Sequence, residues 1–540
     1  MLPRTISVSR WVDRSRNWWQ RSYVAVASIY YRLATRLRPH DPWMHYHLAK
    51  MRLQRRDWSG AERAYRRVLE LDSDIALACH ELADILQKQQ KWEASAKLYR
   101  QAITCNPQFF WSHHNLGDVL RHLEQWEEAA EAYQQAAQLN PHHLDTHCNL
   151  GQILMRLQRW EEAVVAYRQA ADIEPANFDC FYNLAGALMR VGDRAGMAQV
   201  YLQTIDIDPQ FPWFYHFIFW STLKSEQKLD KAEELYKKAL QQSIDREDDT
   251  VEIYVNLGEA LTHQDKIPEA IPYYQKSLNR QIQRNYPTLL EKSQGVATKT
   301  EPSFIILGAQ KAGTSSLYVY LTRHPKVVSG LRKEVEFWSW KFRRGMDWYF
   351  AHFPPLPEGE GFISGEACPG YLDFYEAAER MQDVLPNVKL IVLLRNPVDR
   401  AVSHYYHWIR RHQEMLPFDR ACKDKIRELQ DAGSAWNLPS NYIARGMYVE
   451  FLKHWFKIFS REQFLILDSE AFYRNPSQTL CEVHEFLGLE PQPLSNYKKY
   501  NAGSYSPVDA ETRQYLRDFY EPYNRELEDL LGMSFHWQSF

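Results

Sequence analysis

The chain has 540 residues, more than one hydrophobic core usually supports, so we expect at least two domains. Its 65 basic and 68 acidic residues give a net charge of −3, which excludes a global attraction to nucleic acid or anionic lipid. The seven cysteines are scattered, odd in number and form no metal-ligand motif. We therefore predict reduced thiols, no metal site and a cytoplasmic location.

Residues 1–22 form a basic N-terminal segment. Eight arginines and a single acidic residue, Asp13, lie within residues 1–38, together with Trp11, Trp18 and Trp19. Two interpretations stay open: a transit peptide or interfacial basic helix, and a helix of a truncated repeat that begins near residue 23. No run of about 18 apolar residues occurs, so we predict no transmembrane span.

Residues 23–281 repeat with a period of 34 residues, which indicates stacked structural units. The positions that share this period are Trp58, Trp92, Trp126 and Trp160, and Tyr31, Tyr65, Tyr99, Tyr133, Tyr167 and Tyr201. Each unit also contains a leucine, a small residue and a closing Asn-Pro or Asp-Pro pair, and this pattern resembles the tetratricopeptide repeat. The resemblance implies an all-α superhelix of about seven helix pairs after an opening half repeat.

Such an array presents a concave groove that binds a peptide, a protein partner or part of a large substrate. We expect the repeated aromatic side chains to form the core between helices, and residues outside the period to line the groove. The groove candidates are His113, His114, His147, Trp111 and Trp213. Residues 282–301 lose the period and are predicted to be an interdomain linker.

Residues 302–540 form the second predicted domain. Apolar runs at 304–307, 390–394 and 464–467 are each followed by turn residues and an amphipathic helical stretch. This alternation predicts a three-layer α/β domain with a parallel sheet, whose ligands bind beyond the carboxyl ends of the strands.

The segment from Gly308 to Ser316 predicts a strand, a glycine-containing anion loop and a helix N-terminus. It is similar to a P-loop, but Gly313 is followed by Thr314, and the lysine lies inside the loop at Lys311. A magnesium-dependent nucleotide kinase or NTPase therefore remains an alternative hypothesis. An inactive nucleotide-binding scaffold protein is another.

Four motifs together resemble the sulfotransferase family, closest to the heparan-sulfate-type branch and its bacterial relatives. They are residues 310–316 (QKAGTSS), 331–338 (LRKEVEFW), 395–405 (RNPVDRAVSHY) and 500–505 (YNAGSY). The resemblance implies the donor 3′-phosphoadenosine 5′-phosphosulfate and direct in-line transfer to a hydroxyl or amine, without a metal. A glycan is the expected acceptor, with a peptide or a small molecule left open.

The resemblance also assigns the donor site. The 5′-phosphosulfate is expected to contact Lys311, Ala312, Gly313, Thr314, Ser315 and Ser316. Arg395 and Ser403 are expected to hold the 3′-phosphate, because the arginine fork suits bidentate phosphate binding. Lys499 and Gly503 lie in a loop that is expected to close over the nucleotide.

For catalysis, we expect Lys311 to stabilise the leaving phosphate and Glu334 to act as the base, with Glu336 as an alternative base. Lys333, Glu366 and Arg445 are predicted to contact the acceptor. Two positions depart from the family pattern, since Cys368 stands where threonine is usual and Asn396 where aspartate is usual. The aromatic side chains considered for stacking on a sugar are Trp338, Trp340, Trp348, Tyr371 and Trp408.

Overall fold

The computed structural model describes residues 24, 26–213, 216–246, 249–287, 289, 292, 297–410, 416–438, 440–500 and 508–537. The described residues divide into two compact units, one within residues 24–208 and 221–228, the other within residues 209–220 and 229–537. The predicted basic segment at residues 1–22 lies outside the described residues.

Helices make up most of the described residues before position 288, as the repeat pattern predicts. After an opening helical stretch at 26–37 (α1), the helices are α2 Pro42–Gln54, α3 Trp58–Leu71, α4 Ala76–Lys88, α5 Trp92–Cys105, α6 Phe110–His122, α7 Trp126–Leu139, α8 Leu144–Arg156, α9 Trp160–Ile173, α10 Phe178–Val191, α11 Arg194–Ile207, α12 Phe217–Ser225, α13 Leu229–Asp245, α14 Val251–His263 and α15 Ile267–Asn285. The helices follow one another in the order that the 34-residue period predicts.

The repeated tyrosines form the core between paired helices. Tyr133 and Tyr167 are buried, and each ring faces a glycine on the preceding helix. A Cβ atom added to Gly117 would lie 2.8 Å from the Tyr133 ring, and one added to Gly151 would lie 2.7 Å from the Tyr167 ring. The glycine of each Asn-Leu-Gly motif therefore lets the tyrosine pack against the helix backbone.

The repeated tryptophans are not core residues, and that prediction is wrong. Each begins the second helix of its pair and stays partly exposed, with Trp58 at 39%. Each also packs against a cationic or imidazole side chain thirty residues later. The contacts are Lys88 with Trp58, His122 with Trp92, Arg156 with Trp126, and Arg190 with Trp160. Each tryptophan lies at a solvated helix end, so its ring gains a cation–π or stacking contact instead of full burial.

Most of the groove candidates are also placed differently from the prediction. His113, His114, His147 and Trp213 are all less than 9% exposed, so they do not line an open surface, whereas Trp111 is 47% exposed. Their polar atoms serve the fold. His113 and His147, for example, each contact the carbonyl of the proline six residues earlier, at 2.9 Å.

The second unit contains a four-stranded parallel sheet of order β4-β2-β5-β6, beside a two-stranded antiparallel sheet of β1 and β3. The strands are β1 Thr298–Lys299, β2 Phe304–Gly308, β3 Leu356–Pro357, β4 Gly365–Ala367, β5 Lys389–Leu394 and β6 Phe464–Asp468. The three predicted strands are confirmed as β2, β5 and β6. Every residue of β2 is buried, as expected for a central parallel strand.

Helices follow the strands of this sheet, which gives the predicted α/β class. They are α16 Thr314–Leu321, α17 Met346–Phe350, α18 Ala377–Val384, α19 Pro397–Arg410, α20 Phe418–Ala432, α21 Tyr448–Ile458, α22 Ser469–Arg474, α23 Pro476–Leu487 and α24 Ala510–Leu531. Helices α16 and α19 begin directly beyond the carboxyl ends of β2 and β5. The two predicted anion-binding segments therefore meet at one edge of the sheet.

The predicted linker at 282–301 is partly regular. Helix α15 runs to Asn285, and Thr298 and Lys299 pair with Pro357 and Leu356. Among the described residues, no helix has both the length and the apolar character needed to cross a bilayer.

Candidate active site

The loop between β2 and α16 turns its backbone sharply. Lys311 and Gly313 both have left-handed backbone angles, with φ of 73° and 108°. The carbonyl of Ala312 accepts a 2.7 Å hydrogen bond from the Ser469 hydroxyl at the start of α22. Since the first amides of a helix have no carbonyl partner in the helix, α16 directs them and the positive end of its dipole towards the loop.

Two of the predicted donor contacts already have structural partners. The Ala312 amide donates to the Ala309 carbonyl at 3.1 Å, which closes the loop. The Ser316 hydroxyl is fully buried and accepts a 3.1 Å bond from the Tyr500 amide. Gly313, Thr314 and Ser315 lie at the helix N-terminus, where the Ser315 hydroxyl accepts a 2.8 Å bond from Lys333 Nζ.

Arg395 lies next to this loop. It follows the last residue of β5, and its Nη1 donates to the Lys311 carbonyl at 3.1 Å, while its own carbonyl accepts from the Tyr448 hydroxyl at 2.9 Å. Ser403 is buried on α19, eight residues further along the chain. The structure thus brings the two predicted anion-binding segments into direct contact through Arg395.

Several cationic side chains lie around His404, close to the loop between β2 and α16. His404 is buried on α19, and its pKa is lowered well below the usual value, first by burial and then by the charges of Arg445, Arg400 and Lys311. Arg400, Lys311 and Arg445 thus bring positive charge close to this imidazole in a chain of nearly neutral net charge, although Arg445 is itself paired with Asp373. Together with the helix N-terminus, this environment fits a ligand with two anionic groups, as the predicted donor has.

The predicted base is held at the same place. Lys333 Nζ donates to the Ser315 hydroxyl at 2.8 Å and also forms an ion pair with Oε1 of the neighbouring Glu334. The Glu334 side chain is 32% exposed. This contact brings the carboxylate of Glu334 to the N-terminus of α16.

Glu336, the alternative base, has a different position. Its backbone is left-handed, with φ of 60°, and its carboxylate pairs with Lys341 at 3.3 Å. Two glutamates separated by one residue share a face only in an extended strand, and no strand forms here. The geometry favours Glu334 over Glu336.

Glu366 is a buried hub. It lies on the edge strand β4 with no exposed surface, and it accepts hydrogen bonds from the Tyr349 hydroxyl at 2.7 Å, the Tyr371 hydroxyl at 3.1 Å and the Val335 amide at 3.1 Å. Burial, helped by the nearby charge of Glu334, raises its pKa to about 7, although these hydrogen bonds act to lower it. Glu366 therefore offers no open carboxylate to an acceptor. It holds the backbone next to Glu334 instead.

Arg445, the remaining predicted acceptor contact, is also engaged. It pairs with the buried Asp373 at 2.9 Å. It also donates to the side chain of Gln310 in the loop between β2 and α16, residues 309–313, which we call the donor loop after its predicted ligand. Its side chain is 12% exposed. This position favours support of the loop over contact with an acceptor.

The loop predicted to close over the nucleotide is described as far as Tyr500. Lys499 Nζ lies 4.2 Å above the ring of Tyr473, and Gly503 lies outside the described residues. A Cβ atom on Gly313 would lie 2.7 Å from the Tyr473 hydroxyl. Tyr473 and Ser469 thus shape the loop, and the sequence patterns gave no signal for either, because both lie more than 150 residues away along the chain.

The two departures from the family pattern have structural roles. The Asn396 side chain accepts from the amides of Val398 and Asp399, at 3.0 and 3.4 Å, and so caps α19. Burial raises the pKa of the Cys368 thiol and so keeps it protonated. A protonated, packed thiol is expected to be unreactive.

The candidate sugar-stacking residues differ in exposure. Trp338, Trp348 and Tyr371 have no exposed surface and cannot stack on a ligand. Trp408 is half-buried, whereas Trp340 is 59% exposed and leans its edge on Phe374, with ring centroids 4.8 Å apart. Trp340 is thus the best placed of the five for contact with an acceptor.

Residues 301–507 match the family described as "Sulfotransferase domain", and residues 46–210 and 221–283 match tetratricopeptide repeat families. Three curated relatives are similar to the C-terminal half. The "Membrane-associated sulfotransferase kil1" of Dictyostelium discoideum is 24% identical over 44% of this chain and 67% of its own length. The chain carries a sulfotransferase domain C-terminal to tetratricopeptide repeats, as predicted.

The other two relatives are named for heparan sulfate. The "Bifunctional heparan sulfate N-deacetylase/N-sulfotransferase 4" of Mus musculus is 29% identical over 43% of this chain and only 30% of its own length. The "Heparan sulfate glucosamine 3-O-sulfotransferase 6" of Homo sapiens is 28% identical over 46% of this chain and 77% of its own length. The chain thus spans between about a third and three quarters of the relatives it matches.

Proposed function

We propose that this chain, which contains a sulfotransferase domain, transfers a sulfuryl group from 3′-phosphoadenosine 5′-phosphosulfate to a hydroxyl or amine of a glycan. One observation carries the proposal. The Lys333 ammonium contacts both the Ser315 hydroxyl and the Glu334 carboxylate, and this supports Glu334 as a base beside the proposed donor site.

In the proposed reaction, the donor supplies the sulfuryl group. The acceptor oxygen or nitrogen forms a bond to sulfur while the bond from sulfur to the bridging phosphate oxygen breaks. Glu334 takes the proton that the acceptor loses, and the leaving group departs as 3′-phosphoadenosine 5′-phosphate. A base within reach of the acceptor typically contributes about 10²–10⁴-fold to the rate.

Lys311 supports the leaving group in this proposal. It lies in the loop beside Arg395 and contributes to the positive potential around His404. Preorganised positive charge at the departing oxygen costs no reorganisation during the reaction, so it stabilises the transition state more than a solvated lysine would. Arg395 and Ser403 are proposed to hold the 3′-phosphate, and Gly313, Thr314 and Ser315 the 5′-phosphosulfate.

The acceptor class rests on the relatives and on one side chain. Two relatives are named for heparan sulfate, one for N-sulfation and one for 3-O-sulfation, so they do not distinguish an amine from a hydroxyl acceptor. Trp340 adds an exposed aromatic face six residues after Glu334, of the kind that stacks on sugars. A glycan is therefore the proposed acceptor.

The repeat array is proposed to bind a protein partner or part of the acceptor, since tetratricopeptide repeats form extended concave surfaces. A cytoplasmic location is proposed from the scattered cysteines, all seven of which are free thiols. Fractionation of the producing cells tests the location, and affinity capture with Trp111→Ala as a comparison tests the groove.

The experiment is an assay with sulfur-35-labelled donor and a panel of acceptors: heparan sulfate, its N-desulfated form, a tyrosine peptide and a simple alcohol. Glu334→Gln is compared with Glu336→Gln, which changes a glutamate two residues away that pairs with Lys341. We expect transfer to a glycan. The rate of transfer should fall by about 10²-fold or more in Glu334→Gln and stay near the native rate in Glu336→Gln. Calorimetry with 3′-phosphoadenosine 5′-phosphate should give equal donor-site affinity in all three proteins.

Specific outcomes contradict the proposal. Normal turnover by Glu334→Gln with intact nucleotide binding removes the proposed base. Transfer only to the peptide or the alcohol removes the glycan. Magnesium-dependent ATP hydrolysis without any sulfuryl transfer would support the nucleotide kinase or NTPase hypothesis, and failure to bind 3′-phosphoadenosine 5′-phosphate would support the inactive scaffold.

A further inference from the structure

The segment that carries Glu334 is held by helices that precede the sheet domain in the chain. Helices α14 and α15 form the last repeat, and they belong to the same compact unit as the sheet. Residues 329–335 contact both helices through side chains. The last repeat is therefore part of the surroundings of the candidate base.

The main contact joins Arg332 to Glu252 on α14. The two guanidinium nitrogens Nη1 and Nη2 each donate to a different oxygen of the Glu252 carboxylate, with Nη1 and Oε1 separated by 3.1 Å. The side chain of Arg332 is only 9% exposed, and that of Glu252 is 30% exposed. A bidentate pair fixes the direction of the guanidinium plane, and the burial of Arg332 limits the access of water to it.

The opposite side of the same segment is fixed by the sheet. The Lys333 carbonyl accepts from the Ala367 amide at 2.9 Å, and the Val335 amide donates to Glu366 at 3.1 Å. The Leu331 amide donates to the His352 carbonyl at 2.8 Å. Residues 331–335 thus have backbone bonds to the sheet domain and a side-chain bond to α14.

Two more contacts strengthen the link to the last repeat. Gln281 on α15 donates to the Ser329 hydroxyl at 3.0 Å. The indole nitrogen of Trp348 donates to the Thr262 hydroxyl on α14 at 3.1 Å, in a fully buried position. Residues 329–335 thus contact α14 and α15 at Ser329 and Arg332, and Trp348 on α17 adds a third contact to α14 nearby.

We infer that Glu252 is a positioning residue for the transfer reaction, acting through Arg332 on the Lys333–Glu334 pair. The inference rests on the proposed function, in which Glu334 is the base. Arg332 directly precedes Lys333, so a change in the direction of its side chain changes the backbone that carries both neighbours. Small errors in the placement of a catalytic group cost large factors in rate.

Removal of Glu252 leaves the Arg332 charge largely buried without its carboxylate. The loss of this carboxylate from a largely buried guanidinium is expensive, so the segment is expected to move and change the surroundings of the guanidinium. That movement draws Glu334 away from Ser315. The donor loop is bonded through Arg395, Ser469 and Tyr500 instead, so donor binding should be preserved.

The test uses the full chain and five variants: Glu252→Ala, Glu252→Gln, Arg332→Ala, the double variant Glu252→Ala/Arg332→Ala, and Glu269→Ala as a control. Glu269 lies in the first turn of α15 and is exposed. We expect about a 10-fold or larger fall in kcat for Glu252→Ala and Arg332→Ala, with unchanged affinity for 3′-phosphoadenosine 5′-phosphate. The double variant should be no worse than Arg332→Ala, because one contact is lost in all three. Glu252→Gln, which keeps one acceptor oxygen, should recover part of kcat.

A second measurement needs no activity. Hydrogen exchange followed by mass spectrometry should show faster exchange of residues 329–335 in Glu252→Ala, and no change there in Glu269→Ala. If the native chain transfers no sulfuryl group, the proposed function fails, and the exchange result still decides whether Glu252 fixes this segment.

Two outcomes overturn the inference. Native kcat and native exchange in Glu252→Ala would show that the ion pair does not position the segment. Additive losses in the double variant would show that Glu252 and Arg332 act independently. Faster exchange with a lowered kcat and unchanged nucleotide affinity supports it.

Discussion

Lys311 occupies a backbone conformation that few residues adopt, and this places its side chain differently from a Walker lysine. Its φ of 73° lies in the left-handed region, and its carbonyl is fixed by Arg395. The loop thus holds the lysine before the helix rather than in its first turn. This agrees with an anion site that differs from that of a magnesium-dependent nucleoside triphosphatase.

We expect Lys311→Ala to lower kcat by about 10²-fold or more, because the transition state loses a preorganised positive charge. Steady-state assays with labelled donor measure the effect, and calorimetry with 3′-phosphoadenosine 5′-phosphate separates it from binding. Lys423→Ala, on the exposed side of α20, is the control. An unchanged kcat in Lys311→Ala would refute the role.

Glu366 gives a prediction about pH. Burial raises its pKa from 4.5 to about 7, so the folded chain holds a proton that the unfolded chain has released between these values. Stability from this group is therefore complete below about pH 4.5 and is lost as pH rises to about 7. The shift corresponds to about 3 kcal/mol.

The measurement is the difference in unfolding free energy between the native chain and Glu366→Gln, taken from pH 4.5 to 8. The native chain should lose stability relative to Glu366→Gln as pH rises. His352 and His484, whose pKa values burial lowers to about 4, give the opposite slope, but they are present in both proteins and cancel. A difference that does not change with pH would contradict the prediction.

At the level of elements, the strands with continuous apolar runs were predictable and the edge strand was not. Residues 304–307, 390–394 and 464–467 have the β-rich, fully apolar composition of buried parallel strands. Strand β4 has only three residues, Gly-Glu-Ala, and its pairing depends on a close approach: a Cβ atom on Gly365 would lie 2.3 Å from the Phe304 carbonyl. No local sequence pattern predicts such a strand.

The donor loop as an element depends on Gly313. An alanine there must adopt a φ of 108° and place its Cβ atom 2.7 Å from the Tyr473 hydroxyl. We expect Gly313→Ala to lose about 1–2 kcal/mol of stability from backbone strain and to weaken nucleotide binding, because Tyr473 and the loop must separate.

Gly433→Ala is the matched control. Gly433 ends α20 with a φ of 63°, and a Cβ atom there meets nothing within 4 Å. It should lose similar stability and keep native affinity for 3′-phosphoadenosine 5′-phosphate. Thermal unfolding and calorimetry measure the two effects, and equal affinities in both variants would show that the Tyr473 contact does not shape the loop.

At the level of the whole molecule, the repeat period predicted the helices and the motifs predicted the donor loop, but neither predicted which helices the sheet domain needs. The contact between Glu252 and Arg332 joins residues 80 positions apart, and nothing in the repeat pattern distinguishes Glu252 from any exposed glutamate. A boundary near residue 302 follows the change in pattern. The compact unit instead includes α13, α14 and α15.

This difference predicts the behaviour of two truncations. A fragment of residues 229–540 keeps α14 and α15, whereas a fragment of residues 286–540 removes the partners of Arg332, Ser329 and Trp348. In the shorter fragment a buried guanidinium and a buried indole lose their hydrogen bonds, and each such loss costs roughly 1–3 kcal/mol. Against the 5–15 kcal/mol of a typical domain, these losses are large.

We therefore expect the 229–540 fragment to unfold cooperatively and bind 3′-phosphoadenosine 5′-phosphate, and the 286–540 fragment to be strongly destabilised. Thermal unfolding, soluble yield and calorimetry compare the two. Because both fragments retain every predicted donor contact, a difference between them is due to residues 229–285. Equal stability and equal turnover would mean that the sheet domain folds and works without the last repeat, which would also remove the basis for Glu252 as a positioning residue.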